Sequence, residues 1–307
     1  MSATDLRTGL IVAALTPFRR GTTTVDEDRF DAELDFIARH RPVAVAVAGV
    51  EVQEYHVLTA DQRVDLVKRA AERLGDVPVV AGVSAVSVDQ ACHLAERMAA
   101  VGAGYVLAVA GPKPWGAAPT TGELLAWYHA LADVSPVPVF VYCNPRTGVD
   151  PSVDAIAEVA AHPNVAAMKE TSRDVIKVLR LCQEVEQAGL ARVYTNMESI
   201  QTTLAAGGSG AMMPPPALAI ATALVAAIEA GDDAETRRLQ SFFGRFPSAW
   251  MRLGLGPACK AAMGIVGCDV GDPVHPYDAL GADEVASLRE YLAGWGLAAG
   301  EPAAQVG

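Results

Sequence analysis

Eight short apolar runs recur along the first 230 residues of the chain, and an amphipathic stretch follows each of them. The runs are apolar along their whole length rather than at alternate positions, as is typical of strands buried on both faces. In the stretches between them apolar positions recur every three to four residues, which indicates helices that pack on one face. The runs occupy residues 10–16, 43–48, 77–83, 105–110, 137–142, 165–169, 192–195 and 210–213.

Alternation of eight strands with helices predicts an α/β fold, the (β/α)8 TIM barrel, over residues 1–230. Local signals agree, since Thr59 and Ser87 stand where helix N-caps are expected. Beyond residue 231 the pattern is helical only, with helices predicted over 232–243, 256–266 and 283–294. We therefore predict a barrel over residues 1–230 with a C-terminal helical extension over 231–307, whose tail from residue 297 is frayed.

Composition narrows the possible partners and the cellular location. The chain has 307 residues and a formal net charge of -12, which argues against nucleic acid or an anionic membrane as a partner. Its five cysteines are widely spaced and form no C-x-x-C pair, as expected of reduced thiols. The N-terminus has no signal-peptide pattern, and prolines 214–216 interrupt the uncharged stretch 211–228. These features predict a cytoplasmic protein without a membrane span.

Lysine is scarce in this chain, and one lysine ends a predicted strand. Lys169 closes the sixth apolar run and is followed by Glu170. An ammonium at the tip of a buried strand is partly desolvated, which lowers its pKa, and the neutral amine that results attacks carbonyl groups to form Schiff bases. The alternative is a lysine that reaches water or pairs with Glu170.

In barrels of this kind the catalytic residues gather at the carboxyl ends of the strands. Tyr142 ends the strand before that of Lys169, so its phenol is placed to move protons beside an imine; otherwise it is an aromatic cap on the core. Arg146 follows on a loop where its guanidinium is able to bind a substrate carboxylate, or to form a surface ion pair. Other strand ends supply candidate substrate-binding residues, namely Thr16, Gly111 and Met213.

Other chemistries lack their motifs in this sequence. The six histidines are scattered without H-E-x-x-H spacing, and there is neither a P-loop nor a G-x-G-x-x-G motif. We therefore predict no metal and no cofactor. A metal-dependent lyase is kept as an alternative that sensitivity to chelators would reveal.

Four segments, taken in order, resemble the superfamily of dihydrodipicolinate synthase and N-acetylneuraminate lyase, the pyruvate-dependent class I aldolases. Residues 9–18 resemble the family's first strand with its T-P-F turn, and residues 142–148, Y-C-N-P-R-T-G, resemble a family loop that is one residue longer. Residues 168–172, M-K-E-T-S, resemble its Schiff-base strand, and residues 207–210, G-G-S-G, resemble the turn before its last strand. The resemblance implies that Lys169 is the Schiff-base lysine and Tyr142 the proton relay. It also implies a homotetramer built from tight dimers.

The second-strand motif departs from the family's G-T-T-G-E signature. Residues 49–58 read G-V-E-V-Q-E-Y-H-V-L, so Glu54 aligns with the signature's glutamate while the two threonines become Glu51 and Val52. In the family these threonines hold the pyruvate carboxylate and pass protons to the tyrosine. Val52 has no hydroxyl for either task, whereas Glu51 repels a carboxylate when ionised and is able to act as an acid or base. A second departure lies at residues 110–115, A-G-P-K-P-W, where the synthases carry a tyrosine that crosses the dimer.

These observations predict a Schiff-base lyase or aldolase acting on pyruvate or another 2-oxo acid through a lysine enamine. Lys169, Tyr142 and Glu51 are the predicted catalytic residues. One alternative is a 4-hydroxy-tetrahydrodipicolinate synthase with a rebuilt proton relay. Another is a non-catalytic barrel with a sensor or assembly role. The predicted substrate-binding residues are Arg146, Val52, Gly111, Met213 and Thr16.

Overall fold

All eight predicted apolar runs form strands in the computed structural model, which describes residues 6–111, 113, 115–147 and 149–299. The strands are parallel, follow one another around a closed barrel in chain order, and close where β1 pairs with β8. The predicted (β/α)8 barrel is therefore confirmed. The strands are β1 Gly9–Ala13, β2 Ala44–Val47, β3 Val79–Gly82, β4 Tyr105–Ala108, β5 Val139–Cys143, β6 Val165–Glu170, β7 Arg192–Thr195 and β8 Gly210–Met213.

In the described part of the chain, eight α-helices alternate with the strands and three more follow the barrel. The interrupted uncharged stretch forms a strand and a separate helix, and no helix in the described part of the chain is long and apolar enough to cross a membrane. The helices are α1 Glu27–Ala38, α2 Ala60–Leu74, α3 Val88–Ala100, α4 Thr121–Val134, α5 Val153–Ala160, α6 Val175–Leu181, α7 Ile200–Ala205, α8 Leu218–Ala230, α9 Asp233–Phe242, α10 Leu255–Ile265 and α11 Ala282–Gly294.

Side-chain caps fix where the helices begin. The Thr59 hydroxyl accepts a hydrogen bond from the Gln62 amide, and the Gln62 side chain accepts one from the Thr59 amide, which is a reciprocal capping box at the start of α2. At α3 the Ser87 hydroxyl accepts a hydrogen bond from the Gln90 amide. Each such cap stabilises its helix by about 1 kcal/mol.

Alternation along the strands separates two apolar cores. On β5, Phe140 and Tyr142 point into the barrel, whereas Val139 and Val141 pack outward against the helices. Because successive side chains of a strand point to opposite faces, a residue two positions after an inward one also points inward. The register pairs Tyr142 with Lys169, which brings these two residues to the same level of neighbouring strands.

The C-terminal helices pack against the barrel rather than standing apart from it. Helix α9 lies against α8, and α10 contacts the loop that follows β2. Ala298 is buried and the Ala299 amide donates to the Ile265 carbonyl, so the first residues of the predicted frayed tail are packed. The rest of that tail, residues 300–307, lies outside the described residues.

Candidate active site

The carboxyl ends of β5 and β6 bring Tyr142 and Lys169 together. The Lys169 ammonium nitrogen lies 5.1 Å from the centre of the Tyr142 ring. Both side chains are buried, at 7% and 3% exposure for Lys169 and Tyr142. They line one cavity of about 590 Å³, a volume that accommodates a small organic substrate.

Burial gives Lys169 the electrostatics of a nucleophile. Desolvation lowers its pKa to about 8, and the carboxylates of Glu51, Glu198 and Glu170 oppose this lowering only in part. With that pKa roughly a tenth of the side chain is neutral amine at pH 7, compared with less than about one part in a thousand for an exposed lysine. The neutral fraction is the form that attacks carbonyl carbons.

A hydrogen bond joins Tyr142 to a carboxylate. The Tyr142 hydroxyl donates to Glu51 Oε2 at 2.8 Å, and Asn144 Nδ2 donates to the Tyr142 oxygen at 3.2 Å. Burial raises the pKa of Tyr142 well above its ordinary value, and the Glu51 carboxylate raises it further. The phenol is therefore held protonated and connected to an acceptor, an arrangement suited to proton transfer between a reacting oxygen and Glu51.

Glu51 still has an unused acceptor. Its Oε1 atom is buried and finds no hydrogen-bond partner among the described residues. A buried unpaired carboxylate oxygen is costly, so this atom is available to a donor on a bound molecule or to a proton. Asn196 Oδ1 is a second buried acceptor without a partner in the part of the chain that the structure describes, and Asn196 also lines the cavity.

Gln53 explains how the loop holds Glu51 in place. The side chain is fully buried, and its Oε1 accepts from the Gly49 and Val50 amides at 2.7 and 2.9 Å. Its Nε2 donates to the Ala14 and Ala46 carbonyls at 2.7 and 2.6 Å. All four hydrogen-bonding positions of the amide are thus used, which pins the 3-10 turn Glu51–Gln53 to the ends of β1 and β2. Gln53 aligns with the second glycine of the G-T-T-G-E signature.

The predicted substrate-binding residues divide into two groups. Val52, Met213 and Arg146 line the cavity that contains Lys169. Gly111 lines a neighbouring groove of about 850 Å³, and among the described residues only Glu51 and Arg146 also line the cavity that contains Lys169. Thr16 is 2% exposed and its hydroxyl donates to the Gln53 carbonyl at 2.6 Å, so the structure places it behind the loop rather than on the cavity wall.

Several cavity residues escaped the sequence analysis. Arg173 and Glu198 form an ion pair of 2.9 Å on the cavity wall, and both follow strands that the apolar pattern identifies. Their position just after β6 and β7 was the available signal. Tyr277 and Asp278 also line the cavity, but they come from the extension, where no periodic pattern marks them. Within the described residues, no group of three or more His, Cys, Asp or Glu side chains is arranged to hold a metal ion.

The closed barrel of eight parallel strands is the fold of the aldolase and lyase barrels, and Lys169 and Tyr142 lie near the carboxyl ends of two of its neighbouring strands. A family model described as the dihydrodipicolinate synthetase family matches residues 6–293. The chain belongs to this family, whose members are class I lyases and synthases.

Named relatives include both activities of the family. The chain is 28% identical over 288 residues to an N-acetylneuraminate lyase of Rhizobium meliloti, covering 93% of this chain and 94% of the relative. It is 30% identical over 235 residues to a 4-hydroxy-tetrahydrodipicolinate synthase of Mycobacterium leprae, covering 75% of this chain and 76% of that one. Both names occur among relatives at similar identity, as expected of one family that includes lyases and synthases.

Solved structures agree on the fold. A dihydrodipicolinate synthase from Thermotoga maritima has a TM-score of 0.87 at 24% identity, covering 95% of this chain and 99% of that one. YagE from E. coli K12, a family member solved in complex with pyruvate, has a TM-score of 0.86 at 22% identity, covering 94% and 99% of the two chains. At these identities the likeness concerns the fold alone.

Proposed function

We propose that this protein is a Schiff-base-forming lyase or aldolase that acts on pyruvate or another 2-oxo acid. The observation that carries the proposal is the buried Lys169, whose pKa is lowered to about 8, facing a cavity beside Tyr142. Pyruvate in the related YagE structure and the lyase and synthase names of the relatives support the same substrate class.

In the proposed mechanism the neutral amine of Lys169 attacks the carbonyl carbon of the 2-oxo acid and forms a carbinolamine. The Tyr142 hydroxyl gives its proton to the departing oxygen, which leaves as water, and the C=N bond of the imine forms. Tyr142 supplies this oxygen with two protons in turn. Glu51 replaces the first with the proton that it takes from the attacking nitrogen, through the hydrogen bond between the two side chains. The tyrosinate left after the second takes up a proton from the neighbouring carbon. Loss of a proton from the neighbouring carbon gives the enamine, with the electron pair shared by the nitrogen.

The enamine is the intermediate for both directions of the reaction, bond formation and bond cleavage. It forms a carbon–carbon bond to an aldehyde, or it arises when such a bond breaks and the electrons pass to the imine nitrogen. Dehydration is the related outcome, in which the enamine expels a protonated hydroxyl from the adjacent carbon as water. In each case Tyr142 and Glu51 supply or remove the proton at oxygen.

Arg146 is the proposed binder of the substrate carboxylate. Its side chain is exposed at the cavity wall, where it is able to bind a carboxylate that enters from solution. A guanidinium holds a carboxylate through two parallel hydrogen bonds. This assignment gives the substrate's charge a cationic partner, whereas an ionised Glu51 would repel it. Val52 and Met213 supply apolar wall at the same cavity.

A 4-hydroxy-tetrahydrodipicolinate synthase is the second candidate, and the hydrogen bond between Tyr142 and Glu51 favours it. That bond supplies the tyrosine with a proton partner, which is the task the missing threonines would have performed. A coupled assay with pyruvate and aspartate semialdehyde separates the candidates. Turnover would identify the synthase, and its absence in a protein that forms the pyruvate imine would leave a lyase with another partner.

We further propose that the protein is cytoplasmic and assembles as a homotetramer. Two sets of exposed apolar side chains support an assembly with two kinds of interface. Val175 and Ile176 on α6 are 55% and 71% exposed, and Val86 and Trp115 on the loops after β3 and β4 are 82% and 77% exposed. Sedimentation velocity tests this, and a monomer at micromolar concentration would contradict it.

Borohydride trapping tests the proposed function directly. Incubation with pyruvate followed by reduction is expected to add one pyruvate-derived group per chain, on the peptide that contains Lys169. Peptide mass spectrometry identifies the site. Unmodified Lys169 in a folded protein, both with pyruvate and with larger 2-oxo acids, would sink the proposal.

The rate of trapping is expected to depend on pH through Lys169. Its pKa of about 8 means that the neutral amine increases about tenfold per pH unit below pH 8 and levels off above it. Initial trapping rates between pH 6 and 9.5 should therefore rise and reach a plateau with a midpoint near pH 8. A midpoint above pH 10 would show that Lys169 is not desolvated as the structure describes.

A further inference from the structure

A second buried lysine lies outside the proposed mechanism. Lys260, on α10, is 2% exposed. Its ammonium bonds Glu54 Oε2 at 2.5 Å, the Thr16 carbonyl at 2.8 Å and the Asp272 carbonyl at 3.0 Å. The ammonium is therefore paired with a carboxylate and hydrogen-bonded to two backbone carbonyls.

Glu54 is fastened to the extension at two points. While Oε2 meets Lys260, Oε1 accepts a hydrogen bond from the Val274 amide at 2.8 Å. Its backbone has φ 53°, in the left-handed region that non-glycine residues rarely adopt. Such a conformation persists where surrounding contacts hold it, and the two bonds of the carboxylate do so here.

A single backbone hydrogen bond links Glu54 to Glu51. The Glu54 amide donates to the Glu51 carbonyl at 2.9 Å and closes the 3-10 turn that carries Glu51. From the other side, Thr16 offers its carbonyl to Lys260 and its hydroxyl to the Gln53 carbonyl. The turn is therefore held between the end of β1 and the helical extension.

We infer that Lys260 and Glu54 are positioning residues, a buried pair through which the C-terminal extension holds Glu51 in hydrogen-bonding distance of Tyr142. The inference rests on the proposed function, because it takes Glu51 as the proton-transfer group. Stability alone is a weak reason for such a pair, since buried ion pairs are often replaced by neutral groups without loss of stability. Positioning of Glu51 is a stronger reason, because a misplacement of about 1 Å in a catalytic group lowers the rate on the order of 100-fold.

The test uses the double variant Lys260→Met/Glu54→Gln, because removal of Lys260 alone leaves Glu54 charged and unpaired and endangers folding. Glutamine keeps an acceptor for the Val274 amide, so the double variant removes the ion pair together with the hydrogen bonds from Lys260 to the Thr16 and Asp272 carbonyls. The matched control is Arg192→Met, which removes the ion pair with Glu186 at the start of β7. Single variants Lys260→Met and Glu54→Gln complete the cycle.

Three readouts are measured on the full chain. Amide hydrogen exchange over residues 51–58 is expected to quicken at least about tenfold in the double variant, and to stay unchanged over β5 and β6. The kcat with a 2-oxo acid substrate is expected to fall on the order of 100-fold. KM and the fraction of Lys169 trapped by pyruvate and borohydride after equilibration should stay within about twofold, because the proton relay on the turn changes how fast the imine forms and not how much of it is present at equilibrium. Arg192→Met should change none of the three.

Unchanged exchange and unchanged kcat in a folded double variant would overturn the inference. A similar fall in kcat and in trapping would also overturn it, since the pair would then support the whole site rather than Glu51. Failure of the proposed function looks different. The unsubstituted protein would then fail to trap pyruvate, while faster exchange over residues 51–58 in the variant would still support the anchoring of the turn.

Discussion

Replacement of Lys169 by methionine is expected to abolish borohydride trapping and to lower kcat by at least about 10⁴-fold, because no other described lysine lines the cavity. Methionine has a similar length and no amine, so the cavity keeps its shape. Steady-state turnover and trapping measured on the same preparation check the prediction. The control is Lys68→Met, the same change at an exposed position on α2, which should leave both readouts unchanged.

The same substitution is expected to stabilise the fold at neutral pH. The pKa of Lys169 falls from 10.5 in the unfolded chain to about 8 in the folded protein. Below pH 8 the side chain is mostly protonated in both states, so folding removes a charged ammonium from water. This opposes folding by roughly 3 kcal/mol at pH 7. Between pH 8 and 10.5 the unfolded chain binds more protons than the folded one, so the native protein gains stability as pH rises and the advantage of the variant shrinks. Urea unfolding at pH 7 and pH 10 measures this difference, and a destabilised variant at pH 7 would contradict it.

Glu51→Gln is the second change with a large expected effect. Glutamine still accepts the hydrogen bond from the Tyr142 hydroxyl but cannot take up its proton, so kcat is expected to fall by about 10²- to 10⁴-fold. Because the substituted side chain no longer repels a substrate carboxylate, KM for pyruvate should fall or stay unchanged. The pH profiles of kcat for the native protein and the variant are the measurement.

The control for this change is Glu72→Gln, which removes a carboxylate from the exposed face of α2. It should leave the pH profile as it is in the native protein. If Glu51→Gln turned over at the native rate with the native pH profile, Glu51 would have no part in proton transfer. Tyr142 would then exchange protons with solvent or with the substrate itself.

The sequence by itself determined the barrel and the identity of its central lysine. A continuous apolar run indicates a strand that is buried on both faces, and the run is visible from neighbouring positions alone. All eight strands were therefore predicted. The ends of those runs placed Lys169 and Tyr142 on adjacent strands, because parallel strands present their carboxyl ends at one rim. The substitution at Glu51 was also visible, since it replaces a residue inside a motif.

The tertiary structure alone decided how these residues are used. Tyr142 meets Glu51 across 91 positions of sequence, and Lys260 meets the Thr16 carbonyl across 244. Gln53 looked like one polar residue among several, yet it fills the space behind the loop and uses all of its hydrogen bonds there. Local patterns state whether a side chain is buried, because burial follows from the period of the element that carries it. Which group a buried polar side chain meets depends on how distant elements pack, and no local pattern contains that information.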